Sequence, residues 1–214
     1  MTDAQKSASD RMLDVAGRLF ATRGFGAVST REIAKAAAVN LSAISYHFDS
    51  KEGLYRAVFE KLVRDLKPLR MDLALLLEQR LASAGGDRRD YADMMEKFVA
   101  RLVDDALSDD GRWRTRLILR ELDIPGEGFH ILMDGHINVI ADLLAILVAR
   151  LQGGAAGQAA ARLDAALLLL LCLQQAGGVE LIKARVGWQE FAAAEREKTR
   201  ERVTKLVITA LGLA

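Results

Sequence analysis

The chain is poor in the residues that most often carry chemistry or break regular structure. Its 214 residues include two prolines (Pro68 and Pro125), one cysteine (Cys172) and three histidines, and only 6% are aromatic. A lone cysteine excludes an intramolecular disulfide, and its place in the apolar run Ala165 to Leu173 reads as a buried, reduced thiol. That run, the longest of its kind, falls far short of the about 20 residues needed to cross a bilayer, so a core or interface helix is expected and no membrane partner. The opening residues, MTDAQKSASDR, hold no apolar signal-peptide core, so no export is expected and a cytoplasmic location follows. Charge of one sign is scarce too. With 30 basic and 29 acidic side chains the net charge is +1, so a polyanion would have to be met by a local arrangement of side chains. No phosphate loop, nucleophile elbow or cysteine pair occurs, which argues against an enzyme, and nothing calls for a cofactor.

What the chain has is helix. Hydrophobic residues make up 51%, enough to fill a sizeable core, and no alternating strand pattern interrupts them, so the fold class expected is all-α. Residues 1–8 read as a mobile arm. Met12, Val15, Ala16, Leu19 and Phe20 then form a helical stripe that Ser9 or Asp10 can cap and Gly24 can end through a positive φ, with Phe25 folding back into a core. From Ser29 to Lys51, STREIAKAAAVNLSAISYHFDSK reads as two short helices joined by a tight turn. Thr30 caps the first, which ends near Ala38 and Val39, and Asn40 suits the turn. In the second, Ile44 and Phe48 share one side and leave Ser42, Ser45 and Tyr46 facing out. This is the plan of a helix-turn-helix, whose second helix enters a major groove while the first braces it.

Ser50 is a good cap for a long helix carrying Leu54, Val58, Leu62 and Leu66, kinked or ended by Pro68. Five or six further helices are expected beyond it. Tyr91 to Leu107, Trp113 to Leu122, Phe129 to Leu151, Ala159 to Ala184 with a bend near Gly177 and Gly178, and Trp188 to Leu211 are separated by Gly85-Gly86-Asp87, Ser108 to Gly111, Asp123 to Gly128, and Gly153-Gly154.

The segments LFATRGF, T-REIA-AA-V and I-SYHF-SKEGLY follow one another between Arg11 and Val58. In that order and spacing they resemble the DNA-binding head of the TetR family of one-component transcriptional regulators. The resemblance implies a three-helix head over residues 1–55 joined to a helical-bundle ligand-binding and dimerisation body over 56–214. It assigns Ser29, Thr30 and Arg31 to the start of the bracing helix, Leu41, Ser42 and Ser45 to the groove floor, and Tyr46, His47 and Lys51 chiefly to the phosphate backbone, and the apolar Leu41 and Ala43 suit thymine methyls. It further implies a homodimer built through the two C-terminal helices, a palindromic double-stranded operator, and release by a small-molecule effector, with repression the commoner mode. An activator or a ligand-independent DNA-binding scaffold remains the alternative.

The segment RELDIPGEGFHILMDGHINVI, Arg120 to Ile140, resembles the body of the CecR-like subgroup of that family. Phe129, Met133, His136, Ile137 and Ile140 share a face there, with Trp113, Cys172 and Gln175 as candidates opposite, and the group reads either as an effector pocket or as ordinary core. Glu127, His130 and Asp134 fall at i, i+3 and i+7, a spacing that suits a metal and equally a solvated helix face.

Overall fold

A computed structural model of the chain describes residues 7–82, 87–153 and 159–211. The arm up to residue 6, Gly85-Gly86 and Gly154 lie outside the described residues. Among those described, the regular structure is entirely helical, so the chain is all-α.

Five helices form the first stretch of chain. α1 (Ala8–Arg23) is capped by Ser7, two residues ahead of the expected start, with the Asp10 N–H donating to the Ser7 hydroxyl at 3.0 Å. It ends at Gly24, whose φ of 80° lies in the region glycine occupies without strain. α2 (Thr30–Ala36) is capped by Ser29 and not by Thr30, because the Ser29 hydroxyl is the one that reaches the third helical residue. α3 (Leu41–Phe48) follows a turn in which Ala38 takes a φ of 54°. α4 (Lys51–Asp65) ends one residue before Leu66. Pro68 does not kink it: Pro68 is the second residue of α5 (Lys67–Ala82), where its missing N–H costs nothing.

α6 (Arg88–Leu107) opens with a reciprocal cap between Asp87 and Asp90, and α7 (Asp109–Asp123) leads to α8 (Phe129–Leu132). A π turn, Met133–Ile137, joins α8 to α9 (Asn138–Gln152). The helix expected over 159–184 is broken, giving α10 (Ala159–Gly177) and α11 (Val179–Val186) on either side of Gly178. α12 (Ala193–Ala210) starts five residues later than expected, and the rings of Trp188 and Phe191 pair at 6.3 Å in the segment before it.

The described residues cluster into two compact units, Met1–Leu66 with Trp113–Gly135, and Lys67–Arg112 with His136–Ala214. The boundary expected at residue 55 lies inside α4. The first unit keeps all of α4 because its buried residues Val58, Phe59 and Leu62 lie where α1 and α8 pack. In that unit α1 packs on α2 and α4, and α3 on α2 and α4. Met12, Phe20, Ile33, Ile44, Leu54 and Phe59 are fully buried. Tyr55 stands edge-on to Phe25, Phe20 and Phe59 at 4.9, 5.0 and 5.1 Å, each pair adding about 0.5–1.5 kcal/mol beyond its burial.

In the second unit α6 is central, packing on α5, α9, α10 and α12, while α9 also meets α5 and α10. Phe129–Gln152 and Ala159–Gly177 are long and apolar enough by composition to cross a membrane. For α9 the apolar side chains are core, with Leu144, Leu147 and Val148 fully buried between those helices. α10 differs: Leu163, Leu167, Leu170 and Leu171 are exposed on one side of it.

Candidate nucleic-acid interface

All ten candidate DNA-contact residues lie in the first unit, and local caps set their positions. At the start of α2, the Glu32 N–H donates to the Ser29 hydroxyl at 3.2 Å and the Ser29 N–H donates back to the Glu32 carboxylate at 2.9 Å. The Arg23 guanidinium donates to the same carboxylate at 2.8 Å. The Ser29 backbone N–H, then Arg23 and the Ser29 hydroxyl, hold the Glu32 pKa at about 2. The end of α1 is thereby fastened to the start of α2.

Asn40 caps α3, its side-chain oxygen accepting from the Ser42 N–H at 3.2 Å. Ile44 is the buried anchor of that helix and Phe48 is half-buried, so the opposite face is turned out by periodicity. Leu41, Ser42, Ser45, Tyr46 and His47 are exposed, and Ala43 is half-buried. Tyr46 is the most open of them at 83% exposure, its ring edge-on to His47 at 5.0 Å. Ser50 then caps α4, accepting from the Gly53 N–H at 3.0 Å. The Lys51 ammonium sits 4.2 Å from the centroid of Phe25, a cation–π contact that holds its stem against the head. Arg31 is exposed, Thr30 half-buried, and the Ser29 hydroxyl is already engaged with Glu32.

The expected body pocket divides. Trp113, Phe129 and Met133 belong to the first unit, and His136, Ile137, Cys172 and Gln175 to the second. Trp113 lies beneath the Arg18 guanidinium at 5.2 Å and against Gly17, where a Cβ would come within 2.7 Å of the ring. Phe129 and Met133 are half-buried. His136 is buried with its Nδ1 3.2 Å from Arg70, and Ile137 is buried beside it in sequence. Cys172 is fully buried, and burial pushes its thiol up to about 12. The Gln175 amide donates to the Leu171 carbonyl at 2.9 Å. A face counted at 3.6 residues per turn does not run unbroken from Phe129 to Ile140, because the π turn places an extra residue within it.

Among the described residues no group of three His, Cys, Asp or Glu side chains is placed to hold a metal. Glu127 precedes the first residue of α8 and pairs with Arg56 at 3.0 Å, so it does not share a helix face with His130 and Asp134.

A feature the periodicity held but that charge alone disguises is Glu121. It stands three and four residues after Ile118 and Leu117, on the buried face of α7, and is only 2% exposed. Its carboxylate accepts from the Tyr55 hydroxyl at 2.6 Å and from the Gly126 and Gly128 N–H groups at 3.0 and 2.9 Å. Three donors answer its burial and tie the loop after α7 to α4.

A capped short helix with an exposed polar face, braced by a second and followed by a capped long helix, defines a helix-turn-helix DNA-binding protein. The family model for "Bacterial regulatory proteins, tetR family" matches residues 12–58, and that for the "HTH-type transcriptional dual regulator CecR, C-terminal domain" matches residues 88–213. The chain belongs to the TetR family of transcriptional regulators, with a body of the CecR type. It is similar over 204 residues to the HTH-type transcriptional dual regulator CecR of Shigella flexneri, at 27% identity, covering 95% of this chain and 91% of that one. A shorter likeness, 35% over 65 residues, joins 30% of the chain to 32% of the HTH-type transcriptional repressor KstR2 of Rhodococcus jostii (strain RHA1). Among solved structures, a TetR-family transcriptional regulator from Bordetella parapertussis 12822 superposes with a TM-score of 0.65 at 19% identity over 95% of both chains. A regulatory protein of the same family from Rhodococcus RHA1 does so with a TM-score of 0.62 at 18% identity, over 98% of this chain and 97% of that one. The chain is thus a DNA-binding transcriptional regulator and not an enzyme.

Proposed function

We propose that the chain is a cytoplasmic, ligand-released repressor that binds a palindromic operator as a homodimer. The observation that carries the DNA docking is the open face of α3, with Tyr46 free of the core and Ser42 and Ser45 beside it. In this reading Tyr46, His47 and Lys51 meet phosphates, while Leu41, Ser42, Ala43 and Ser45 face base edges and thymine methyls. Arg31, with Thr30 and Ser29 at the head of α2, serves the flanking backbone. One such helix spans too few base pairs for a genomic address, which calls for two heads about 34 Å apart.

The leucines left open on α10, with Leu206 on α12, support pairing of two copies through the C-terminal helices. An effector that empties the operator must favour the non-binding state by about 5.5 kcal/mol to turn a 99:1 population over. Footprinting upstream of the gene supplies the operator, and a salt-titrated anisotropy assay then tests the docking. Tyr46→Phe should weaken binding to every sequence, and Lys51→Ala should also lower the salt slope by about one. Unchanged affinity in both variants would overturn the docking, and a monomer in sedimentation at micromolar concentration would overturn the dimer.

A further inference from the structure

We infer that the first unit carries a binding site for a small aromatic carboxylate, in the cleft between the α1–α2 turn and the α7–α8 loop. This names a site for the effector response proposed above and rests on that reading for its regulatory role. The cleft measures about 610 Å³, within the range of small-molecule sites, and every lining residue belongs to the first unit. Phe25, Tyr55, Ile124 and Pro125 line it with apolar surface. Ile124 is 70% exposed at its rim, an apolar side chain that a bound ring would take out of water.

The charges around the cleft decide which ring it takes. Arg23 is paired with Glu32 and also donates to the Ala27 carbonyl at 2.7 Å. Glu127 is paired with Arg56, and Glu121 accepts three donors. Glu52 sits in the first turn of α4, where its own backbone N–H and then the Ser50 hydroxyl hold its carboxyl below the usual range. Arg120 is left. Among the described residues its guanidinium makes no hydrogen bond or ion pair, and it lies over Gly24, where a Cβ would come within 2.8 Å of its Nη1. Arg120 is therefore the cation of the cleft left open to a ligand, a planar charge beside an apolar surface, while Glu52 and Glu121, which also line it, are held by hydrogen bonds from the protein. Its complement is an aromatic ring bearing a carboxylate, the ring against Phe25 and Ile124 and the two oxygens on the guanidinium fork.

Calorimetric titration of the full chain with 2-naphthoate, without DNA, tests this. Arg120→Ala should weaken binding by at least about tenfold and Arg120→Lys by less, since one planar charge-assisted pair is lost. Ile124→Glu, which sets a carboxylate on the rim, should weaken it as well. The neutral 2-naphthamide should bind the parent at least about tenfold more weakly than naphthoate and ignore Arg120→Ala. Backbone amide shifts on adding naphthoate should centre on Gly24, Gly26 and Gly126. Equal affinity of parent and Arg120→Ala, naphthamide binding as tightly as naphthoate, shifts centred elsewhere, or no binding at millimolar naphthoate would each overturn the site. A chain that binds naphthoate here yet stays on its operator overturns the effector reading alone. Naphthoate that releases the operator while binding the parent and Arg120→Ala equally overturns the site alone.

Discussion

Replacing Tyr55 by Phe removes one oxygen and nothing else from the centre of the first unit, so its cost can be worked from the geometry. The ring keeps its edge-on neighbours Phe20, Phe25 and Phe59. What goes is a 2.6 Å hydrogen bond between two buried groups, the Tyr55 hydroxyl and the Glu121 carboxylate, leaving the latter with two backbone donors. A hydrogen bond to a charged group contributes about 1.5–3 kcal/mol, and that is the expected loss. With a urea slope of about 1–3 kcal/mol per molar, the unfolding midpoint should fall by something on the order of 1 M.

The first unit is followed cleanly in a Trp188→Phe background, where Trp113 is the remaining indole and reports the unit that holds Tyr55. In a Glu121→Gln background the phenol faces an amide, and the same substitution should cost less than about 1 kcal/mol, a coupling that a double-mutant cycle reads directly. Burial first and Glu121 second hold the Tyr55 hydroxyl far above its ordinary pKa of 10.0. Its contribution is therefore complete below pH 10 and is lost as pH rises beyond it, and Tyr55→Phe should flatten that alkaline limb. A Tyr55→Phe protein within about 0.5 kcal/mol of its parent, or a flat double-mutant cycle, would refute the account.

Ala38→Gly should stabilise the head by about 1 kcal/mol in the same urea assay, since a φ of 54° strains an alanine and not a glycine. Glu32→Gln should flatten the acid limb of stability: the folded pKa of about 2 lies below the ordinary carboxyl value of 4.5, so the contribution is present above that value and fades as pH falls toward 2. Cys172, with its thiol pushed up to about 12 inside the second unit, should resist a disulfide reagent at pH 8 until the protein is unfolded in urea; prompt labelling of the native chain would contradict its burial.

The head was legible because its signals are local. Ser50, Asn40 and Gly24 each do what their chemistry suggests at the position the spacing gives. Where two hydroxyls stand close together, local reasoning slips by a residue or two, as with Ser7 against Ser9 and Ser29 against Thr30, because either can cap and only the turn geometry chooses. The body was less legible for a different reason. Leu69, Leu73 and Leu77 make a buried stripe at four-residue spacing along α5 that segmentation by glycine punctuation does not pick out. The π turn at Met133 defeats any face counted at 3.6 residues, and Glu121 looks like a surface charge until its donors, 66 residues away in Tyr55 and close by in Gly126 and Gly128, are in view. Long-range partners of that kind leave no trace in spacing.

Ser42 and Ser45 hold nothing together: their side chains face outward while Ile44 alone anchors α3 in the core. In the docking proposed above, address and architecture are consequently separable in this head. A library randomised at those two codons would sample new DNA targets with little penalty in folding, whereas the same freedom at Ile44 would mostly yield collapsed variants.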